Sequence, residues 1–469
     1  MAQRKHPHAL AVFACVGAVA AVAAGCGSSS SGGSGGKVNT KYSKNLQKHV
    51  LGTHMNLAKL SPSIPDPTKP TTITFVGFNF GPVWQKLANQ FHQIHPNITV
   101  NIEQIPAEQE QTKLTTEIAG GNAPDVAYVD NGTVGAFAPR GAVVNLDDYM
   151  KKSLSTPRSD FVPAFLKMTS YHGSVYGLPM DAESTGLFYR TDLFQKAGIS
   201  SPPKTWAQMN ADAAKLTQPA KKQYGIAMFA TQGETSYYWY NFLYQAGGTQ
   251  TTPDDKHAAF ASPAGIKAGE EYVKLARNWS PPDLWASNSW DGRVSFATGK
   301  VGMYIAGAWF AGEMNNSFPK IKGKWAVEPL PVAEPGGPCA NTIAGDALVM
   351  FSSSKNQDAA WKWMEFVDAP QNMALLNLGT KKQPASLLPP RNSLINNPDA
   401  FKAFPLLQSF AKGLKCGITN MSENPNWGEV DSGPLSDALA KGIYGKEPIA
   451  QALKDAAKQA NTMLQAPAQ

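Results

Sequence analysis

Charged residues and cysteines are scarce in this chain of 469 residues. Asp, Glu, Lys and Arg make up 16% of it, and there are four cysteines. Four cysteines are too few for a disulfide-rich scaffold, while 42% hydrophobic residues exclude a wholly disordered chain. Only seven of the 42 basic residues are arginine, and the net charge of +7 comes with no dense basic run, so we expect no nucleic-acid partner. The length predicts two substantial lobes, at roughly 100–200 residues per domain.

Recognised catalytic and cofactor-binding motifs are missing as well. The Gly-Lys pair at 299–300 is followed by valine, so no P-loop is present to cradle phosphates. His92 and His95 stand three residues apart on a predicted helix, but His92 points away from its apolar face, so we expect a solvated pair. We therefore expect no metal, no organic cofactor and no catalytic residue. A surface glycoside hydrolase is kept as an alternative, because Asp181 and Glu183 would share one face of an extended strand.

The first 36 residues have the pattern of an export signal. Arg4 and Lys5 precede a 16-residue apolar stretch at 9–24, and small residues then lead to Cys26. The stretch would span about 24 Å, short of a bilayer core of about 30 Å. Residues 1–25 resemble a bacterial lipoprotein signal peptide, with lipidation predicted at Cys26. Ala23 stands where leucine is commonest, which leaves simple secretion or an uncleaved anchor as alternatives.

The segment that follows the predicted cleavage site is read as a spacer. Residues 27–36 are glycine and serine only, and residues 37–70 carry six lysines against a single acid, Asp66, and end in a proline-rich stretch. Such sequences form flexible linkers. We predict that residues 26–70 comprise the acylated cysteine and a flexible tether.

From residue 71 the sequence alternates between strand and helix patterns. Residues 73–78 form a β-rich run, Pro82 can open a helix, and alternating apolar residues at 98–102 predict a second strand. The alternation predicts an α/β protein with parallel sheets flanked by helices, in which ligands lie at the carboxyl ends of strands. Further helices are predicted at 206–216, 263–277, 358–367 and 448–464, and further strands at 126–129, 175–179, 187–189, 224–228, 301–305, 325–330 and 347–351.

Several aromatic residues stand in polar or glycine-rich surroundings rather than in an apolar repeat. Sugars present apolar C–H faces and a rim of hydroxyls, so an aromatic ring beside carboxylate and amide acceptors suits them. The alternative for each ring is ordinary core packing. The residues singled out in this way are Phe80, Trp239, Tyr240, Trp290, Trp309 and Trp427.

A series of short segments also occurs in a recognisable order over most of residues 71–464. They are GGNAPDV at 120–126, YHGSVYGLP at 171–179, LFYRTDLF at 187–194, PPKTW at 202–206, FATGKVGM at 296–303, GAW at 307–309, PLP at 329–331 and SKNQDAAW at 354–361. In this order they resemble the family 1 extracellular solute-binding proteins of ABC importers.

The resemblance implies a two-lobed periplasmic-binding-protein-like fold of type II. Its parallel-sheet lobes would be joined by a hinge that the chain crosses three times, and ligand would lie between lobes that close by hinge motion. We place the crossings near 179–184, 330–340 and 379–389. The predicted lobes are residues 71–182 plus 333–385 and residues 183–332 plus 386–469.

The expected ligand-binding residues follow strand ends that would meet the cleft. Trp309, in the family's G-x-W position, is the preferred stacking residue, and Asp346 is the preferred acceptor from the second crossing. Asp181 and Glu183 would also be read as a solvated hinge, and Asp346 as the cap of a turn. The full set of candidates is Asn79, Phe80, Asp130, Asn131, Asp181, Glu183, Trp239, Tyr240, Trp290, Trp309, Asp346 and Trp427.

Family members mostly bind mono- or oligosaccharides. The resemblance therefore implies a carbohydrate-binding lipoprotein on the outer face of the cytoplasmic membrane, which delivers its ligand to the permease subunits of an ABC importer. No oligomer is required, so we expect a monomer. A receptor for another solute, such as a glycerophosphodiester, is the main alternative. In an oxidising exterior Cys339 and Cys416 could form a disulfide or stay as two buried thiols.

Overall fold

A computed structural model describes residues 55–106, 109–231, 234–378, 387–397, 406–419 and 422–467. Strands and helices alternate through these ranges, as the hydrophobic pattern predicts. The strands are β1 Thr71–Phe78, β2 Ile98–Ile105, β3 Val126–Asp130, β4 Ser170–Tyr171, β5 Ser174–Val175, β6 Gly177–Pro179, β7 Glu183–Ser184, β8 Gly186–Tyr189, β9 Tyr224–Ile226, β10 Val301–Ala306, β11 Ala326–Glu328, β12 Asn341–Ala344, β13 Asp346–Met350 and β14 Gly417–Thr419.

The helices bury apolar residues against a sheet or against a neighbouring helix. They are α1 Val83–Ile94, α2 Glu110–Ala119, α3 Asn131–Phe137, α4 Asp147–Lys152, α5 Pro163–Met168, α6 Thr191–Lys196, α7 Trp206–Leu216, α8 Glu234–Gln245, α9 Pro263–Trp279, α10 Ser289–Thr298, α11 Trp309–Ser317, α12 Gln357–Asp368, α13 Pro370–Leu378, α14 Asn392–Ile395, α15 Leu407–Gly413, α16 Trp427–Val430, α17 Ser436–Ile443 and α18 Ile449–Leu464.

The first sheet has the order β2-β1-β3-β13-β6. Alternate residues of β1 serve its two faces: Phe75 packs edge-on against Trp84 of α1, with ring centroids 4.9 Å apart, while Val76 joins a separate cluster with Leu114 of α2. This period of two is what a strand covered on both faces requires. Trp84 and Phe75 are fully buried, so the aromatic layer between β1 and α1 forms the core of this sheet.

The second sheet has the order β11-β8-β10-β9, and a third, small sheet has the order β14-β12-β7. The predicted parallel arrangement holds for β1 with β2 and β3 and for β9 with β10. It is wrong for β6, β8 and β13, which pair antiparallel with their neighbours. The chain reaches β8 and β13 from the segments that cross between sheets and leaves β6 into the first of them, so these strands are not joined to their neighbours by the helical crossover that makes strands parallel.

Two crossing segments meet in the third sheet. The first runs from β6 through β7 to β8, and the second runs from β11 through β12 to β13. β7 and β12 pair antiparallel, with Ala344 opposite Glu183. The second predicted crossing, at 330–340, lies between β11 and β12, and the strand pairing with β7 follows it at 343–344. Of the third predicted crossing, residues 379–386 lie outside the described residues, and Leu388 bridges to Ala182.

Residues 55–70, which we predicted as the end of a flexible tether, instead pack against the first sheet's helices. Leu60 and Ile64 are buried. Asp66 contacts His95 Nδ1 at 2.9 Å and Lys362 Nζ at 3.1 Å, so the prediction that His95 is solvated is also wrong. The ion pairs explain why the single acid of a lysine-rich segment stands at this position. We call residues 55–70 the N-terminal strap; residues 26–54 lie outside the described residues.

Cys339 and Cys416 are joined by a disulfide, with Cα atoms 5.4 Å apart. The bond connects the loop before β12 to the turn before β14, strands that pair in parallel in the third sheet. It therefore fastens two segments that are 77 residues apart in sequence beside the crossing region.

Candidate functional site

Four acidic side chains converge where the crossing segments meet the first sheet. Asp130 ends β3, and Asp346 begins β13 directly opposite it in the antiparallel register. Asp181 and Glu183 come from the first crossing segment, just after β6. These four residues are predicted site candidates, and the structure brings them together because strand ends and crossing segments share one edge of the sheet.

Hydrogen bonds fix part of this carboxylate cluster. The buried hydroxyl of Tyr128 donates to Asp181, and the backbone N–H of Asp346 donates to the other Asp181 oxygen at 3.2 Å. Asp130 accepts from the backbone N–H of Gly132 at 2.7 Å and so caps α3. The donors reach the cluster from two strands and one helix, which holds the carboxyl groups in place before any ligand arrives.

Burial and mutual repulsion raise the pKa values of the carboxylate cluster. The pKa of Glu183 rises to about 8, through burial first and then through the charges of Asp181 and Asp130. Burial raises the pKa of Asp181 to about 6, and burial with the three neighbouring carboxylates raises the pKa of Asp346 well above its ordinary value. Burial by the surrounding protein also raises the pKa of Asp130, although its side chain is open to solvent, which limits the effect.

Trp309 stands beside the carboxylate cluster as the first residue of α11. Its side chain is partly exposed, and its indole N–H donates to Glu183. The guanidinium carbon of Arg293 lies 4.5 Å from the centre of the Trp309 ring and 5.7 Å from the Trp290 ring. Arg293 also pairs with Glu313, Nη1 to Oε2, at 3.0 Å. The Trp309 ring thus offers a stacking surface next to the hydrogen-bond acceptors of the carboxylate cluster. Trp290, which is 48% exposed, extends this aromatic surface toward solvent.

Phe80 and Asn79 follow β1 and have exposed side chains. The Phe80 ring stacks on Trp84 with centroids 5.8 Å apart and meets Tyr128 edge-on at 5.5 Å. Phe80 therefore contacts Tyr128, the residue that donates a hydrogen bond to Asp181 of the carboxylate cluster. Asn131 begins α3 next to Asp130, but its side chain lies outside the described part of the structure.

The structure does not group the remaining three aromatic candidates with the carboxylate cluster. Trp239 and Tyr240 are fully buried in α8, and Trp427 is 3% exposed at the start of α16. Tyr240 donates to Asp431 Oδ1 at 2.5 Å. These residues have the core placement that was the alternative for each, because polar neighbours in sequence do not reveal which face of a helix is buried.

Sequence reasoning missed four residues of the site. Tyr128 belongs to a predicted apolar strand, Arg293 has no second arginine near it in sequence, and no motif marks Glu110 or Glu313. The spacing of Trp290 and Arg293, three residues apart on α10, was the available signal, since such residues share a helix face. The other contacts join segments far apart in sequence, which periodicity cannot reveal.

Two kinds of feature are absent from the described residues. Among them, no group of three or more His, Cys, Asp or Glu side chains has an arrangement that could hold a metal ion. In the same ranges, no helix is both long enough and apolar enough to cross a membrane.

Residues 79–374 match the family described as bacterial extracellular solute-binding proteins. A Brucella abortus protein, described as a binding protein without a stated ligand, is 28% identical over 392 residues, or 82% of this chain and 90% of that protein. The mannitol-binding protein of Pseudomonas aeruginosa is 27% identical over 286 residues, or 59% of this chain and 63% of that protein. An ABC transporter solute-binding protein from Thermotoga lettingae, bound with alpha-D-tagatose, has a TM-score of 0.74 at 27% identity, covering 84% of this chain and 100% of the other.

The chain belongs to the bacterial extracellular solute-binding protein family, because the match spans more than half of its length. Its fold is the mixed α/β periplasmic-binding-protein fold. This is a family of non-catalytic solute-binding proteins, so the glycoside hydrolase alternative is dropped.

Proposed function

We propose that this protein is the lipid-anchored, extracytoplasmic binding component of an ABC importer, and that it captures a sugar or polyol at the carboxylate cluster and Trp309. The tagatose-bound relative and the mannitol-binding relative support this ligand class. The observation that carries the proposal is the position of Glu183, which accepts the indole N–H of Trp309 and also lies among the other carboxylates.

The chemistry of the site suits a polyhydroxylated ligand. Carboxylate oxygens accept hydrogen bonds from hydroxyl groups, and an indole ring packs against the C–H face of a sugar. Asp130 and Asp346 belong to the first sheet, whereas Trp309 follows β10 of the second. A ligand that contacts both sheets favours the closed arrangement by its differential affinity, which is the signal that a permease would read.

The electrostatics disfavour the phosphate-bearing alternative. A glycerophosphodiester would bring negative charge against Asp130, Asp181, Glu183 and Asp346, whereas phosphate sites use arginine, lysine or helix N-termini. The nearby Arg293 already pairs with Glu313. We therefore expect phosphorylated solutes to bind far more weakly than uncharged sugars or polyols.

A thermal-shift screen of the full-length protein in detergent tests the ligand class. The panel contains mono-, di- and oligosaccharides, polyols and phosphorylated polyols. A ligand at 100 times its dissociation constant should add about 2.7 kcal/mol to the free energy of unfolding. A shift with a sugar or polyol that is recovered unchanged supports the proposal. A shift with phosphorylated compounds alone overturns the proposed ligand class. If no compound of the panel shifts the melting temperature, the result counts against the sugar or polyol ligand and against the phosphorylated alternative.

The lipid anchor is tested separately. Cys26 lies outside the described residues, and the proposal for it is supported by the signal pattern and by the family. We expect Cys26→Ala to move the protein from the membrane fraction to the soluble fraction and to remove the mass of the lipid. Cys15→Ala, which changes a cysteine inside the predicted signal, is the matched control and should stay in the membrane fraction. Retention of Cys26→Ala in the membrane fraction would contradict the anchor.

A further inference from the structure

Asp130 and Asp346 are like charges placed directly opposite each other on neighbouring strands. Such a pair destabilises a sheet unless something compensates for it. In the described residues, no ion pair involves Asp130, Asp181 or Asp346. The opposed pair therefore has no cationic partner within the described residues.

Asp181 and Asp346 hydrogen-bond to each other through their side chains, so one of these two carboxyl groups holds a proton. The other protein groups that satisfy the carboxylate cluster are electrically neutral. They are the Tyr128 hydroxyl, the backbone N–H groups of Gly132 and Asp346 and the indole of Trp309. They supply hydrogen bonds but no positive charge. Arg293 lies over the Trp309 ring, pairs with Glu313 and favours the ionised form of Glu183, but its charge is not among the influences on Asp130, Asp181 or Asp346.

A fifth carboxyl group lies behind the opposed pair. Glu110 is only 3% exposed, and its carboxyl group lies against Asp130, whose charge, together with burial, raises the pKa of Glu110 to about 8. One oxygen accepts from Thr133 at 3.2 Å, and the other has no hydrogen-bond partner in the described part of the chain. Glu110 therefore adds to the acidic cluster a buried carboxyl group with one unpartnered oxygen, next to Asp130.

We propose that the ligand carries an ammonium group, as an amino sugar or amino polyol does, and that this group binds between Asp130 and Asp346. The inference rests on the proposed function and names the class of its ligand. An ammonium supplies three donors and a positive charge at once, and its hydrogen bonds to carboxylates are roughly twice as strong as neutral ones. A neutral sugar supplies donors but no positive charge, so the carboxyl groups would have to keep protons when the lobes close over it.

The two ligand classes differ in the sign of their pH dependence. An ammonium favours ionised carboxylates, so its affinity should rise as Asp130, Asp181, Glu183, Asp346 and Glu110 lose protons. A neutral sugar is best held by a partly protonated cluster, so its affinity should fall over the same range. The other charged or titratable groups that face the cluster are Tyr128, Arg293 and Glu313.

Matched pairs of probes test the inference by calorimetry on the full-length protein in detergent. The pairs are glucosamine with glucose, mannosamine with mannose, and 1-amino-1-deoxysorbitol with sorbitol. At a pH where the amines are protonated, we expect one aminated member to bind about tenfold more tightly than its hydroxyl partner, a difference of about 1.4 kcal/mol. Its affinity should rise between about pH 5 and pH 7.

Variants assign the effect to the opposed carboxylates. Asp346→Asn should reduce the ratio of the affinities for the aminated and the neutral probe toward one. If this variant does not fold, Asp130→Asn, at an exposed position that tolerates the change, should reduce the same ratio. Asp148→Asn changes an exposed acid elsewhere and should leave the ratio unchanged.

Three outcomes decide the matter. Tighter binding of an aminated probe supports the inference. Equal or tighter binding of the neutral partner overturns it and leaves the proposed function standing. The absence of binding by every aminated probe also overturns it, and if the neutral sugars and polyols fail as well, the proposed function fails with it.

Discussion

Trp309 donates its indole N–H to Glu183 and so ties the first residue of α11 to the segment that crosses between the sheets. The contact fixes the orientation of the ring, while the partly exposed face leaves room for a ligand. Gly307 makes the close approach feasible, since a Cβ atom there would meet the Trp309 ring and lie 3.4 Å from Glu183 Oε2. The pair joins recognition by stacking to recognition by hydrogen bonding.

We expect Trp309→Ala to weaken ligand binding about 10- to 100-fold without unfolding the protein, because it removes an aromatic contact worth about 1–3 kcal/mol. Trp309→Phe should lose less, since it keeps a ring and removes only the bond to Glu183. Calorimetry with the ligand found in the screen, together with circular dichroism, measures both. Tyr444→Ala, at an exposed ring on another element, is the control, and unchanged affinity in Trp309→Ala would count against the stacking role.

Much of the fold was predictable because it follows from local chemistry. The helix at 206–216 was predicted with the bounds that it has, since the Thr205 side chain caps it by accepting from the Gln208 N–H at 3.3 Å. That Asp130 and Asp346 lie near each other was predictable, because strand ends meet at one edge of a sheet. Their opposition in register was not, since the antiparallel direction of β13 depends on where the chain crosses between sheets.

The remaining parts of the site depend on contacts that no local pattern encodes. Tyr128 and Asp181 are 53 residues apart, and no sequence pattern near either residue predicts the hydrogen bond between them. Trp239, in the segment SYYWYNF, and Trp309, in the segment GAWFAG, are both candidate stacking residues by sequence, yet one is fully buried and the other is partly exposed. Tertiary packing determines which of the two tryptophans is buried. It also holds the N-terminal strap against the protein, although the composition of this segment predicts a linker.

The raised pKa values predict that the unliganded protein loses stability as the pH rises. Glu110 and Glu183 have folded pKa values of about 8, against 4.5 ordinarily. The folded state therefore binds more protons than the unfolded state between these values, so the stabilisation is complete below pH 4.5 and is lost as the pH rises through 8. Each such group contributes up to about 1.4 kcal/mol per pH unit in this window.

Glu110→Gln should flatten this slope by one proton's contribution and raise the melting temperature near pH 8, with little change near pH 5. The amide keeps the shape of the side chain and can still accept from Thr133. Melting curves in a pH series measure the effect. Asp148→Asn, at an exposed position, should leave the slope as it is, and an unchanged slope in Glu110→Gln would contradict the assigned cause.

The N-terminal strap depends on Asp66. Burial alone would raise the pKa of Asp66, but hydrogen bonds from His95 and Lys362 outweigh burial and lower it. Lys362 is itself buried, with a side chain 7% exposed. Asp66→Asn leaves this lysine charged and unpaired, so we expect a loss of about 1–3 kcal/mol in the free energy of unfolding and faster proteolysis within the strap.

Lys362→Met distinguishes the loss of the ion pair from the cost of an unpaired charge. It removes the buried charge and keeps the apolar stem, so it should destabilise the protein less than Asp66→Asn does. Denaturant unfolding and limited proteolysis measure both variants. Equal proteolysis of the strap in the wild type and Asp66→Asn would show that the pair does not hold it.

The disulfide predicts a redox dependence of stability. The double variant Cys339→Ser with Cys416→Ser should lose about 2–4 kcal/mol in the free energy of unfolding, because the bond closes a long loop in the unfolded chain. Reductant should lower the stability of the wild type by a similar amount and have no effect on the variant. A wild type that is insensitive to reductant while the bond is shown to be reduced would contradict this.

Gly345 allows the second crossing segment to approach the first. A Cβ atom at this position would clash with the backbone oxygen of Asp181, the residue whose side chain accepts the Asp346 N–H. Gly345→Ala should therefore push β13 away from the crossing segment, lower the free energy of unfolding by about 1–3 kcal/mol and weaken ligand binding, because Asp346 moves with it. Gly428→Ala, where a Cβ atom would meet nothing within 4 Å, is the control. Melting curves and calorimetry report the two effects separately, and a Gly345→Ala protein with unchanged affinity would show that the position of Asp346 does not set ligand recognition.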